Sequence, residues 1–123
     1  MRKRVFKIIR TVRHLQREQA RLLAALLVDE PLLKGSLSLV KRTCGKASCH
    51  CADRPAHEVW VLATTQDLRR RCQVVRRPDV HEVQGRLAIY KDFRKGRRRL
   101  EAIAKEEKRL LRGLIDKRHV PYE

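Results

Sequence analysis

Aromatic side chains and long apolar runs are both scarce in this sequence. Only five of the 123 residues are Phe, Tyr or Trp, so a hydrophobic core must be built mostly from Leu, Val, Ile and Ala. No stretch approaches the roughly 18 apolar residues that a membrane-spanning helix needs. The apolar run nearest the N-terminus, residues 22–28, is too short and too late for a signal peptide. We therefore expect a cytoplasmic protein that does not enter the membrane.

Acidic residues are also few. The 14 Asp and Glu side chains stand against 31 Lys and Arg, which gives a formal net charge of +17. Segments 1–30, 31–78 and 79–123 carry net charges of +5, +7 and +5, so the excess is not confined to a tail. Self-repulsion of this size calls for a polyanionic partner, and nucleic acid is the usual one. An acidic protein or an anionic membrane surface is the alternative.

The sequence contains no recognisable catalytic pattern. It has no glycine-rich loop of the kind that cradles phosphates, and Ser36 and Ser38 lack a His and Asp partnership. His14, His81 and His119 are isolated along the chain, and the carboxylates mostly lie beside basic residues, as in solvated ion pairs on helices. We therefore predict that the protein is not an enzyme.

The predicted fold class is α+β, with segments 1–30, 31–78 and 79–118 as an N-terminal helix, a zinc-binding β domain and a C-terminal helical region. Apolar residues recur at helical spacing over residues 2–28, at Val5, Ile8, Val12 and Leu15 among others. This stripe is interpreted as packing on the protein's own core, with a dimer seam as the alternative.

The middle segment has the composition of short strands. We predict one strand over residues 37–40, a second over 59–62, a turn over 63–67 and a third strand over 69–75, which makes a small antiparallel hairpin or three-stranded sheet. Asp79 and Glu82 form a capping-box pattern at the start of a final helix. A seven-residue apolar stripe follows over 83–114, and Gly96 marks the predicted break if this region is a pair of helices.

Three cysteines and a histidine are concentrated in fourteen residues, at Cys44, Cys49, Cys51 and His57. In a reducing compartment, clustered cysteines more often bind metal than form disulfides. Thiolate and imidazole are the ligands that tetrahedral Zn²⁺ favours. Neighbouring basic residues would stabilise the thiolates. With all four positions filled by protein, the predicted zinc is structural and staples the sheet.

The fourth ligand has alternatives. His50 would point away from its neighbouring cysteines in an extended segment. Cys72 is equally well explained as a small buried hydrophobic residue. An iron–sulfur cluster would need Cys72 as its fourth thiolate. His57 ranks first and Cys72 second.

The segment from Lys34 to His57 resembles a family of short, uncharacterised bacterial proteins. The shared residues are Gly35-Ser36-Leu37, Cys44-Gly45-Lys46, Cys49-x-Cys51-Ala52 and His57. The resemblance covers roughly residues 34–115 and implies a metal-binding domain of unknown function from mobile-element neighbourhoods. This chain differs in having Glu58-Val59 where the family has Gly-Pro.

Arginine supplies 21 of the 31 basic residues, which favours bidentate contacts with phosphate or base edges. The scarcity of aromatic residues argues against a stacking platform for single strands. We therefore predict a nucleic-acid-binding protein, with duplex DNA favoured over RNA, and with an accessory or regulatory role in a mobile element. The alternative is an oligomeric subunit that pairs with itself or a partner protein through its helices. The predicted contacts lie in four clusters: Arg2, Lys3 and Arg4; Arg69, Arg70 and Arg71; Arg76 and Arg77; Arg97, Arg98 and Arg99.

Overall fold

The computed structural model describes residues 2–43, 45–48 and 57–122. Helix α1 spans Arg2–Leu26, strands β1, β2 and β3 span Gly35–Arg42, His57–Gln66 and Arg69–Val75, and helix α2 spans Val80–Arg118. A 3₁₀ helix over Arg77–Asp79 precedes α2. The predicted α+β architecture is therefore confirmed.

The chain divides into two compact units. The helical unit comprises Met1–Glu30 and Asp92–Glu123, and the sheet unit comprises Pro31–Lys91. α2 contributes residues 80–91 to the sheet unit and residues 92–118 to the helical unit.

The helical unit is an antiparallel pair of helices. Leu15 of α1 is buried with Ile103 and Leu110 of α2, and Ile8, Val12 and Leu22 pack against this cluster. The prediction that the apolar stripe of α1 packs on the protein's own core is therefore confirmed for Ile8, Val12, Leu15 and Leu22. Leu15, Ile103 and Leu110 are the only buried hydrophobic side chains that the structure describes in the helical unit.

Gly96 lies within α2, which continues without interruption from Val80 to Arg118. The predicted helix break at this residue is therefore wrong. A Cβ atom at Gly96 would lie 3.1 Å from Cδ2 of Leu26. Glycine is used here because its bare backbone lets the end of α1 pack closely against α2, and that packing offsets its low helix propensity.

The sheet unit is built on a three-stranded antiparallel sheet in the order β1–β2–β3. β2 is the central strand, and its Val61 and Leu62 are the two buried hydrophobic residues among those the structure describes in this unit. Adjacent strand residues point to opposite faces, so both faces are covered at this point of β2.

The loop between β2 and β3 is shorter and later than predicted. β2 continues through Ala63, Thr64 and Thr65 to Gln66, which pairs with Arg69. The prediction of a turn over residues 63–67 is therefore wrong, because the β-branched threonines extend the strand. Asp67 and Leu68 form a two-residue loop with φ values of 50° and 65°, the left-handed backbone that a type I′ hairpin turn requires.

Candidate metal centre and nucleic-acid interface

The predicted zinc ligands lie only partly in the described chain. Cys44, Cys49 and Cys51 lie outside the described residues, as does the alternative ligand His50. Over residues 2–43, 45–48 and 57–122, no three His, Cys, Asp or Glu side chains are grouped so as to hold a metal ion. The described part of the predicted site consists of the strand ends that bracket the cysteine segment.

The strand register brings the two ends of this segment together. Arg42, the last residue of β1, pairs directly with His57, the first residue of β2. Paired residues on antiparallel strands have Cα atoms about 5 Å apart. Cys44 follows Arg42 by two residues, a stretch that spans at most about 7 Å. The imidazole of His57 therefore stands at the same end of the sheet as the chain leading into Cys44.

Cys72 stands far from that end of the sheet. It pairs with Ala63, six residues along β2 from His57, and six strand residues span about 20 Å. The donor atoms of one zinc lie within about 4 Å of each other, because Zn–S and Zn–N bonds are 2.0–2.3 Å long. The register therefore disfavours a site that combines Cys72 with Cys44. Cys72 is also exposed, so its interpretation as a buried hydrophobic residue is wrong.

The arginines of β3 do not share one face. Arg69, Arg70 and Arg71 are all exposed, and no ion pair links them to a carboxylate in the described part of the chain. They pair with Gln66, Thr65 and Thr64 of β2. Because strand side chains alternate, Arg70 points to the face opposite that of Arg69 and Arg71. Three consecutive arginines thus present at most two charges to one flat ligand.

Several of the other predicted contacts are engaged in ion pairs. Arg76 Nε lies 3.6 Å from Asp79, and Arg97 Nε lies 3.7 Å from Glu101. Arg99 binds Glu18 of α1 through two N–H groups, and the Nη2–Oε1 distance is 2.7 Å. This hydrogen bonding lowers the pKa of the Glu18 carboxyl and raises the pKa of Arg99. Arg99 therefore serves to join the two helices.

The remaining predicted contacts have no such carboxylate partner among the described residues. Lys3 and Arg4 are exposed in the first turns of α1, Arg77 is exposed before α2, and Arg98 is exposed within it. The side chain of Arg2 lies outside the described part of the chain.

One long basic surface was not singled out by the sequence clusters. It runs along α1 and is formed by residues three or four positions apart, which we call the cationic ridge: Lys3, Lys7, Arg10, His14, Arg17 and Arg21. At 100° per residue these six side chains fall within an arc of about 80°. All six are exposed. The spacing itself would have predicted the ridge, because like residues at i, i+4 and i+7 share one helix face.

The cationic ridge contains no acidic residue. The nearest carboxylate on α1, that of Glu18, is bound to Arg99. None of the six ridge side chains makes an ion pair with a described carboxylate. Eighteen residues separate Lys3 from Arg21, so the ridge is about 27 Å long. Phe6, which is 66% exposed, lies beside Lys3, Lys7 and Arg10 at one end of the ridge.

Comparison of the chain with protein-family models, curated proteins and solved structures gives no match. The family resemblance of the cysteine motif therefore stays a prediction. Among the described helices, none combines the length and the apolar character needed to cross a membrane.

Proposed function

We propose that this protein binds the phosphate backbone of duplex nucleic acid, with DNA favoured, and that it acts as a binding protein and not as an enzyme. The observation that carries the proposal is the cationic ridge, a line of exposed basic side chains without partner carboxylates among the described residues. Its length of about 27 Å is close to the 34 Å of one turn of B-DNA. Basic side chains at such intervals contact phosphates. Phosphate contacts determine the affinity and the position of the protein on the duplex, and they carry little sequence preference.

The arginines of β3 provide a second source of charge in the proposal. The sheet unit contains 12 basic and 5 acidic residues and the helical unit 19 and 9, so each unit is strongly positive by itself. Arg69 and Arg71 share a face of the sheet and have no described carboxylate partner. Arginine is suited to phosphate because its planar guanidinium donates two parallel hydrogen bonds.

Fluorescence anisotropy with a labelled 20-base-pair DNA duplex tests the proposal. Each neutralised phosphate contributes about −0.9 to the slope of log K against log salt. Five contacts from the ridge would lower affinity roughly 500-fold between 50 and 200 mM salt. Failure to bind duplex, single-stranded DNA or structured RNA at low salt would overturn the proposal. Equal competition by polyglutamate or by anionic lipid vesicles would instead indicate unselective binding of polyanions.

We further propose that one Zn²⁺ per chain, held by Cys44, Cys49, Cys51 and His57, staples the sheet unit. The support is the strand register, which brings the start of the cysteine segment and His57 to one end of the sheet. The thiolates and imidazole would fill the coordination sphere, so the ion would stabilise the fold and not act in catalysis.

Elemental analysis of the purified protein tests the zinc proposal. We expect one zinc per chain in the wild type, loss of zinc in His57→Ala and Cys49→Ser, and retention in the matched variant Cys72→Ser. Loss of zinc should also lower the sheet signal in circular dichroism, because metal binding and folding are coupled. Wild-type protein without zinc, or zinc lost from Cys72→Ser but kept by His57→Ala, would contradict this ligand set.

A further inference from the structure

The helical unit buries few side chains for its size. Leu15, Ile103 and Leu110 form its described core, although α1 alone has 25 residues. Several large apolar residues remain in solvent: Leu23 is 37% exposed, Leu27 77%, Leu111 49% and Ile115 69%. An exposed apolar surface of this kind marks an interaction site when its residues are contiguous.

On each helix, several apolar residues that are not buried lie to one side of the core-facing stripe, whereas Phe6 lies beside the cationic ridge. Leu23, the half-buried Val5 and Ile9, and Leu27, which directly follows α1, are displaced by about 85° from the stripe containing Ile8 and Leu15. Leu111 and Ile115 are displaced by about 110° around α2 from the stripe containing Ile103 and Leu110. Viewed along each helix from its N-terminus to its C-terminus, both displacements turn in the same direction.

The two helices run in opposite directions, so these displacements converge. A Cβ at Gly113 would lie 3.7 Å from Ile8, and one at Gly96 would lie 3.1 Å from Leu26, which establishes the antiparallel arrangement. When two neighbouring helices are antiparallel, side chains displaced in the same direction around each helix, viewed from its own N-terminus, lie on the same side of the pair. The residues therefore lie on one side of the helix pair, which we call the apolar face: Val5, Ile9 and Leu23 of α1, Leu27 directly after it, and Leu111 and Ile115 of α2.

The cationic ridge points away from the apolar face. The centres of the two surfaces are about 140° apart around α1. A partner on the apolar face would therefore leave the ridge in solvent. A second copy of the chain meets this condition, since two copies could associate through their apolar faces while their ridges remain apart.

The dimensions of the apolar face fit such a partner. α1 is about 37 Å long, and two helices packed 8–10 Å apart present a face about 20 Å wide. This whole side of the helix pair, which also carries Gln16 and Arg97, has an area of about 740 Å², close to the roughly 800 Å² that each partner buries in a standard interface. Leu111, Leu114 and Ile115 also line a depression of about 510 Å³ near the end of α2, into which a partner side chain could insert.

We infer that the apolar face binds a second copy of this chain, so that two helical units form a four-helix bundle with the cationic ridges on its outside. Four-helix bundles pack their helices around a shared core of apolar stripes. A two-fold interface of this kind uses the same surface from both copies.

Sedimentation equilibrium of the full, zinc-loaded chain in high salt and without nucleic acid tests this inference. The expected mass is twice the chain mass of 14.5 kDa. Leu111→Glu and Ile115→Glu should be monomeric at concentrations where the wild type is dimeric. Arg112→Glu, an exposed charge change on the same helix but outside the apolar face, should remain dimeric.

Circular dichroism of each variant separates lost association from lost folding. A wild-type chain that is monomeric at 100 µM with full helicity would overturn the inference. So would dimers in both face variants. DNA binding is measured separately, so a monomer that binds DNA would refute the dimer and leave the proposed function intact.

Discussion

Glu18 and Arg99 join two helices that lie far apart in the sequence. The two carboxylate oxygens of Glu18 accept hydrogen bonds from Arg99, and the side chain of Glu18 is 24% exposed. The pKa of Glu18 is lowered, first by this hydrogen bonding and also by the charges of Arg99 and Arg21. The ionised carboxylate is therefore favoured in the folded helical unit.

We expect Glu18→Gln to lower the melting temperature at neutral pH. A carboxyl whose pKa is lower in the folded state contributes stability above its unfolded pKa and loses that contribution as pH falls through the folded value. The difference between variant and wild type should therefore disappear in acid, as followed by thermal melts in circular dichroism. Glu101→Gln is the control, since Glu101 is more exposed and lies 3.7 Å from Arg97.

A shift in melting temperature that is equal at neutral and acidic pH would contradict the role of this ion pair. Local spacing could not have predicted the pair, because 81 residues separate its members. The pairs Arg86–Glu82 and Arg97–Glu101, in contrast, have the four-residue spacing that made solvated ion pairs the expected arrangement.

The hairpin between β2 and β3 places a leucine in an unfavourable backbone conformation. Leu68 has a φ of 65° and is 99% exposed, so no burial compensates for the left-handed geometry. This region of the backbone costs a non-glycine residue about 1–2 kcal/mol. Glycine adopts it without that cost, but loses more conformational freedom on folding.

We expect Leu68→Gly to increase the free energy of unfolding of the sheet unit by about 1 kcal/mol. Urea unfolding followed by the fluorescence of Trp60 measures the change. Leu68→Ala provides the control, because it removes the exposed side chain but keeps the Cβ that causes the strain. An equal gain in both variants would show that side-chain exposure, and not the backbone, determines the effect.

The local sequence pattern predicts the helices and strands of the fold, but it predicts their boundaries and loops less well. Helical spacing predicted α1 over 2–28, against an observed end at Leu26, and β3 was predicted with its observed bounds. The hairpin loop was misplaced because Asp67-Leu68 is not one of the glycine-containing pairs that usually form such turns. Gly96 was misinterpreted because its role depends on Leu26, a contact between distant segments.

Positive charge is distributed over both units of the molecule. The helical unit carries a net charge of +10 and the sheet unit +7. Composition alone predicts a polyanionic partner, but adjacent arginines in the sequence need not lie on one surface. Neighbouring residues diverge on a strand, as Arg70 does from Arg69 and Arg71, whereas residues three or four apart converge on a helix. The cationic ridge is the result of that second rule.

The salt dependence of DNA binding tests the cationic ridge most directly. Two double variants carry the same change of charge: Arg10→Gln with Arg17→Gln on the ridge, and Arg86→Gln with Arg109→Gln outside it. Arg86 and Arg109 are already paired with Glu82 and Glu106. Circular dichroism confirms that each variant retains its helices before the slopes of log K against log salt are compared.

We predict that the slope becomes shallower by about 1.8 in the ridge variant, since each lost phosphate contact removes about 0.9. The matched variant should keep the slope of the wild type. Equal slopes in the two variants would show that net charge alone governs binding and would contradict the assignment of the ridge as the nucleic-acid interface.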